Sequence, residues 1–232
     1  MSIDEKNEKI TTSDEKIQEL TEISQKYSKI ISNIMLETQK NIIGQEDIIK
    51  KILISIISDG HVLLESVPGL AKTLMIKTMA DIFSVNNVRI QFTPDLLPAD
   101  ILGTKIYKNN SNTFEIQKGP IFHNFVLADE INRAPPKVQS ALLESMQEKQ
   151  VSIHGETFQL EKPFLVLATQ NPIENEGTYK LPEAQVDRFA LKILIKYPSK
   201  EEEIKIIEKN TTDTKTKIEP ILKSNEILQM QE

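Results

Sequence analysis

The feature that most constrains this chain is an eight-residue segment, 66–73, which reads Ser-Val-Pro-Gly-Leu-Ala-Lys-Thr. An apolar run, 61–65, precedes the segment, and a helical pattern follows it. Strand, tight loop, Lys-Thr and helix is the context of a phosphate-binding loop, because backbone N–H groups at the helix start point at an anion. We therefore expect Lys72 to reach the terminal phosphates of a nucleotide and the Thr73 hydroxyl to coordinate magnesium.

The match to the general pattern G-x-x-x-x-G-K-[ST] is incomplete. The pattern has glycine where this chain has Ser66 and Ala71, so only Gly69 is expected to supply a positive φ freely. The segment by itself also fits a strand–turn–helix connection in which Lys-Thr is incidental. Other segments must therefore decide between these two interpretations.

Composition and charge limit the classes of function. The chain has 232 residues, of which 39% are hydrophobic and 27% charged, as in an ordinary soluble globular protein. It has no run of about 18 apolar residues and begins with a polar, acidic segment, so we expect neither a membrane span nor a secretory signal. The absence of cysteine favours a cytoplasmic location. A net charge of −6 argues against non-specific binding of nucleic acid.

Arginine is rare in this chain: among 28 basic residues, only Arg89, Arg133 and Arg188 are arginines. Arginine presents a planar, permanently charged fork that lysine lacks. A chain that uses lysine almost everywhere is expected to keep arginine where such a fork is needed, although surface drift toward lysine also explains the bias. Drift does not explain why Arg133 lies beside Asp-Glu and Arg188 within Asp-Arg-Phe.

The order of predicted elements indicates an α/β fold. Residues 1 to about 14 are charged and lack an apolar period, which predicts disorder. Beyond them, apolar periodicity predicts helices over 15–40, 47–58, 72–83 and 136–149, and a last helix capped by Ser199. Short apolar runs predict strands at 61–65, 88–92, 125–128, 164–169 and 191–195, and turn residues predict hairpins at 104–116 and 151–160. Strands that alternate with helices predict a mostly parallel sheet with helices on both faces.

Three polar segments are expected to meet at one edge of that sheet. The Lys-Thr loop, Asp129-Glu130 and Asn171 each follow a predicted strand, and ligands bind at the carboxyl ends of parallel strands. This agreement disfavours the incidental loop. Asp129 would hold magnesium together with Thr73, and Glu130 would act as general base on the attacking water, as ATP hydrolysis needs. An acidic helix cap is the alternative use of Asp-Glu.

Several long segments resemble the MoxR family of AAA+ ATPases. They occur in sequence order between about Ile30 and about Ile207, and they are Gly44-Gln45, 67–73, Gln91-Phe92-Thr93-Pro94-Asp95 with the following Leu-Leu-Pro, 128–136, 168–174 and 181–189. Ala71 is usual for that family, whereas Ser66 departs from its first glycine. The resemblance implies a P-loop NTPase AAA+ core with a five-stranded, mostly parallel sheet and two β-hairpin insertions of the helix-2-insert group, which face a ring pore.

The resemblance also implies roles for individual residues. Asn171 would be the sensor that orients water against the γ-phosphate, and Arg188 the arginine finger that reaches a neighbour's nucleotide. A surface salt bridge to Asp187 is the alternative for Arg188, and Arg133 is a second candidate for an interface arginine. ATP would contact Gly44, Gln45, Ser66, Val67, Pro68, Gly69, Leu70, Ala71, Lys72, Thr73, Leu74 and Asp129.

Family membership further implies a homo-hexameric ring that remodels partner proteins, often with a von Willebrand factor A domain protein. The resemblance divides the chain into a core domain at 15–197 and the start of an incomplete helical lid at 198–232, since the family's lid is longer and carries a second sensor arginine.

Because the lid is incomplete, an ATP-sensing module with little turnover is one alternative function, and a nucleic-acid translocase is a more distant one. The hairpins argue against translocation, because they carry a mixed set of charges without a basic stripe: Lys105, Lys108, Glu115, His154 and Glu156.

Overall fold

The computed structural model describes residues 3–67, 69–109, 112–172, 177–211 and 217–231. Parts of some predicted features lie outside these ranges, namely Pro68 of the phosphate loop, the hairpin-turn residues Asn110 and Ser111, and residues 173–174. No helix in the described part of the chain combines the length and the apolar character that crossing a membrane requires.

In the described part of the chain, nine strands and eight α-helices are connected in the alternating order that the sequence predicts. The helices are α1 (Ile3–Gln39), α2 (Glu46–Ile57), α3 (Lys72–Ile82), α4 (Pro98–Leu102), α5 (Pro136–Glu148), α6 (Glu183–Val186), α7 (Lys200–Thr211) and α8 (Ser224–Gln231). The strands are β1 (Val62–Glu65), β2 (Asn87–Gln91), β3 (Gly103–Lys108), β4 (Thr113–Lys118), β5 (Phe125–Asp129), β6 (Gln150–Ile153), β7 (Glu156–Gln159), β8 (Leu165–Gln170) and β9 (Leu191–Leu194).

Five strands form one sheet in the order β2-β5-β8-β1-β9, and every pairing in it is parallel. Alternate residues of each strand point to opposite faces. Leu64 and Leu127 accordingly join an apolar cluster with residues of α1, α2 and α3, whereas Leu63 and Ala128 join a second cluster with residues of α5. The predicted parallel sheet with helices on both faces is confirmed.

The two predicted hairpins are also confirmed. Strands β3 and β4 pair antiparallel, as do β6 and β7. The charges on the hairpins are engaged with one another: Lys105 lies 3.5 Å from Glu156 of the other hairpin, and Lys108 pairs with Glu115 across its own. No free basic stripe runs along the described residues of these hairpins.

Helix α1 begins at Ile3 and so includes most of residues 1–14, for which disorder stays a prediction. The segment lacks an apolar period, but Glu, Lys and Gln are good helix formers. A helix nucleated by the packed part of α1, around Ile34, extends by one backbone hydrogen bond per added residue.

Candidate active site

Three strands of the sheet end at one edge and bring the predicted site residues together. Strands β1, β5 and β8 end at Glu65, Asp129 and Gln170, and α3 begins at Lys72 after the loop that follows β1. Lys72 Nζ lies 3.4 Å from Asp129 Oδ1, and the two side chains are 10% and 9% exposed. The lysine that follows the loop and the aspartate at the end of β5 therefore form an almost buried ion pair.

The loop before α3 uses left-handed backbone at two positions. Gly69 has φ +86°, and Ala71, the residue before the helix, has φ 53° and ψ 22°. Gly69 is the glycine that adopts positive φ freely, as expected, whereas Ala71 adopts the same region despite its Cβ. Ala71 offers no side-chain cap, so the N–H groups of the first turn of α3 have no capping side chain from that residue. Such a terminus attracts anions.

Asp129 accepts hydrogen bonds on both carboxylate oxygens. Thr169 Oγ1 donates to Oδ1 over 2.6 Å, and Arg89 donates to Oδ2 through Nε over 3.1 Å and Nη2 over 2.7 Å. Burial raises the pKa of Asp129, but the hydrogen bonds from Thr169 and Arg89 and the charges of Lys72 and Arg89 outweigh burial and hold the pKa below its ordinary value. The carboxylate is therefore ionised at neutral pH.

Glu130 lies in the left-handed region, with φ 59° and ψ 48°. Its backbone N–H donates to Thr169 Oγ1 over 2.9 Å. Its carboxylate Oε2 accepts from Gln91 Nε2 over 2.8 Å and lies 3.2 Å from Arg133 Nε. No side-chain capping hydrogen bond is formed at the turn that follows, so the alternative use of Asp-Glu as a helix cap does not describe this carboxylate.

Asn171 borders a second region of the site, and Arg188 lies in the chain between two residues that line it. Asn171 is buried and lines a cavity of about 620 Å³ with Glu65 and Lys192, which form an ion pair of 2.7 Å. Asp187 and Phe189 line the same cavity. Arg188 is exposed, and among the described residues it has no ion pair with Asp187 or with any other carboxylate.

Five of the remaining predicted contacts line a larger cavity of about 1020 Å³. Its lining includes Gln45 and four residues of the loop and first turn: Gly69, Leu70, Ala71 and Leu74. Gly44 precedes Gln45 with φ +73°, and the carboxylate end of Glu202 packs against it. Ser66 is buried, its N–H donates to the Gln170 carbonyl over 3.1 Å, and its hydroxyl has no partner among the described residues. Thr73 is exposed at the start of α3.

The donor set suits a magnesium–nucleotide complex. It combines a helix N-terminus, a lysine and an ionised carboxylate within one cluster. Within the described ranges, no group of three or more His, Asp or Glu side chains is placed to hold a metal ion by itself. Magnesium typically takes one or two protein ligands and completes its coordination shell with phosphate oxygens and water. A site with Asp129 and Thr73 as the protein ligands agrees with this coordination.

Sequence reasoning missed three residues that contact the acidic pair: Arg89, Gln91 and Thr169. A signal existed for Arg89, which is one of only three arginines, and Thr169 stands next to last in its strand. Gln91 opens one of the segments that carry the family resemblance. The missing information was the pairing of β2 with β5 and of β5 with β8, which brings these side chains to Asp129 and Glu130.

Comparison with known proteins agrees with this geometry. Residues 61–191 match the model of the ATPase family associated with various cellular activities (AAA). The chain is 52% identical over 202 residues to Chaperone MoxR1 of Mycobacterium tuberculosis, covering 87% of this chain and 53% of that protein. It is 53% identical over 165 residues to YeaC, an uncharacterised protein of Bacillus subtilis, covering 71% of this chain and 52% of YeaC. The chain thus spans about half the length of these curated relatives.

A solved structure shares the fold. The crystal structure of a proposed ATPase from Cytophaga hutchinsonii is similar with a TM-score of 0.84 and 49% sequence identity, covering 93% of this chain and 66% of that one. The family match covers more than half of the chain and includes the strand ends that carry Lys72 and Asp129. The chain belongs to the ATPase family associated with various cellular activities (AAA), and within it to the MoxR proteins.

Proposed function

We propose that this chain binds ATP with Mg²⁺ in the loop 66–74 and hydrolyses it. The observation that supports the proposal most directly is the buried contact of 3.4 Å between Lys72 and Asp129 at the edge where three parallel strands end. A buried lysine and a buried carboxylate beside an uncapped helix N-terminus provide charges for a polyphosphate and for its cation.

Each residue of the site has a role in this proposal. Lys72 neutralises the terminal phosphates, and the N–H groups of the first turn of α3 bind phosphate oxygens. Thr73 and Asp129 hold magnesium, which when bound supplies positive charge to the phosphate oxygens. Glu130 accepts a proton from the attacking water, and Asn171 donates a hydrogen bond that orients that water or the γ-phosphate.

Arg188 acts in trans in this proposal. Its side chain is exposed, and no described carboxylate pairs with it, so it is available to a second subunit. A finger of this kind requires an assembly, and we propose a homo-hexameric ring in the cytoplasm. In the ring, hydrolysis drives chaperone-like remodelling, maturation or activation of partner proteins, including a von Willebrand factor A domain protein. One relative is named a chaperone, which supports this assignment.

A second candidate is an ATP-sensing module with little turnover. The hydrogen bond from Gln91 and the ion pair with Arg133 favour this second candidate, because both contact the Glu130 carboxylate, which hydrolysis needs as a base. The two candidates differ in whether Glu130 affects turnover. Translocation on nucleic acid has less support, because Lys105 and Lys108 of the hairpins are paired with carboxylates.

The proposal is tested by nucleotide binding and by phosphate release. Lys72→Ala should abolish ATP binding in calorimetry, whereas Lys51→Ala, which removes an exposed lysine paired with Asp47 on α2, should leave it unchanged. Glu130→Gln should lower kcat and leave Kd near the wild-type value, because its carboxylate acts in the transition state. Unchanged affinity in Lys72→Ala would refute the site. Wild-type ATP binding without Glu130-dependent turnover would favour the sensing module.

A further inference from the structure

Arg89 makes the most extensive contact with the acidic pair, and none of the roles above includes it. It lies on β2, next to β5, and it is one of only three arginines in the chain. Its guanidinium donates twice to Asp129 Oδ2, and its Nη2 also donates to Gln91 Oε1. A lysine could not make these three hydrogen bonds in this planar arrangement.

The carboxylate of Asp129 is surrounded by donors. An ionised carboxylate offers about four lone-pair sites. Arg89 donates twice to Oδ2 and Thr169 Oγ1 donates to Oδ1 over 2.6 Å, while Lys72 Nζ forms an ion pair with Oδ1 at 3.4 Å. A divalent cation that binds Asp129 therefore competes with these donors for the carboxylate oxygens.

Arg89 is the donor most able to leave. Its side chain is 47% exposed, whereas that of Lys72 is 10% exposed. Thr169 is completely buried, and its hydroxyl is oriented toward Asp129 because its oxygen accepts the N–H of Glu130. Even a cation that approaches Oδ1 meets the like charge of Arg89 within a few ångströms, and that repulsion is significant in a partly buried site.

We propose that Arg89 is a positioning residue that neutralises Asp129 and competes with magnesium for it, and so sets how strongly nucleotide binding depends on Mg²⁺. This inference rests on the proposed function of the site. When Asp129 binds a cation, Arg89 releases Oδ2 and turns toward solvent. When no cation is bound, Arg89 reduces the repulsion between Asp129 and the phosphates of a nucleotide. Loss of Arg89 therefore strengthens binding with Mg²⁺ and weakens binding without it.

The test measures a ratio rather than an activity. The affinity of ADP is determined by calorimetry in excess Mg²⁺ and in EDTA, and the Kd in EDTA is divided by the Kd in Mg²⁺. For Arg89→Ala we expect this ratio to rise about two- to fivefold above wild type, the range expected for a partly exposed ion pair. Arg89→Lys keeps the charge but loses the planar fork, so its ratio should lie between those of wild type and Arg89→Ala. Gln91→Ala loosens Arg89 but keeps every charge, so it should raise the ratio by a smaller factor.

The controls separate this inference from the function on which it rests. Lys51→Ala removes a remote exposed cation and should leave the ratio at the wild-type value. An unchanged or lower ratio in Arg89→Ala refutes the competition, because a purely structural role weakens both affinities equally. If Arg89→Ala does not fold, the ratio in Gln91→Ala decides in the same way. Failure of wild type to bind ADP, or binding that survives Lys72→Ala, instead refutes the nucleotide site itself.

Discussion

His61 should make the stability of this protein fall as the pH is lowered. The ring is buried between β8 and α5: Nδ1 accepts the N–H of Val166 over 3.1 Å, and Nε2 lies 3.2 Å from the Met146 carbonyl. This arrangement requires the neutral ring with its proton on Nε2. Burial is the main cause that lowers the pKa of His61 from 6.5 to about 4; the charge of Lys149 adds to it, and the Met146 carbonyl and Asp59 oppose it.

The direction and size of this pH effect on stability follow from proton linkage. Between about pH 6.5 and pH 4 the unfolded chain protonates His61 and the folded chain does not, so the unfolded state binds more protons and stability rises with pH. The stability that the neutral His61 ring preserves is fully present above about pH 6.5 and is lost as the pH falls toward 4. At 1.36 kcal/mol for each pKa unit, the loss is about 3 kcal/mol.

The assay is urea unfolding of wild type and His61→Gln at pH 7.5 and pH 4.5. Glutamine can accept from Val166 and donate to Met146, and it does not titrate in this range. We expect wild type to lose about 2–3 kcal/mol more than the variant between the two pH values, after the ordinary carboxylate titrations cancel. His154→Gln, at an exposed hairpin turn, should behave like wild type. Equal losses in wild type and His61→Gln would refute the buried neutral ring.

Two further predictions concern assembly and backbone geometry. Arg188→Ala and Lys72→Ala should each be nearly inactive alone, since an arginine finger is worth about 10³–10⁵ in kcat, and phosphate release should recover in assembled mixtures that pair an intact pocket with an intact finger. No recovery would contradict the trans role. Gly155→Ala should cost about 1–2 kcal/mol of unfolding free energy for its left-handed backbone alone, with nothing within 4 Å of the new Cβ. Gly44→Ala should cost more, because its Cβ would lie 2.4 Å from the Glu202 carboxyl carbon, and Glu202→Ala in that background should remove the excess.

The sequence predicted the elements that carry the site because their patterns are local. Apolar runs followed by polar residues identified β1, β5 and β8, and the rule that parallel strands share a carboxyl edge brought Lys72, Asp129 and Asn171 to one edge. The proposed catalytic roles of Asn171 and Arg188 stay predictions, because their positions in the fold do not establish what they contact during hydrolysis.

The contacts around the acidic pair depend on sheet order, which the sequence did not predict. The central strands are apolar along their length, so their patterns indicate burial and do not indicate which strand is the neighbour. Without the pairing of β2 with β5, nothing placed Arg89 on Asp129 or Gln91 on Glu130.

The left-handed backbone of Glu130 has a consequence for engineering. A non-glycine residue in that region costs about 1–2 kcal/mol, and Glu130 carries this cost at the position proposed to activate water. Glycine at 130 would relieve the strain and remove the carboxylate. A library selected only for thermal resistance would therefore enrich inactive glycine variants at this position. Directed evolution of this protein needs a catalytic selection beside the thermal one.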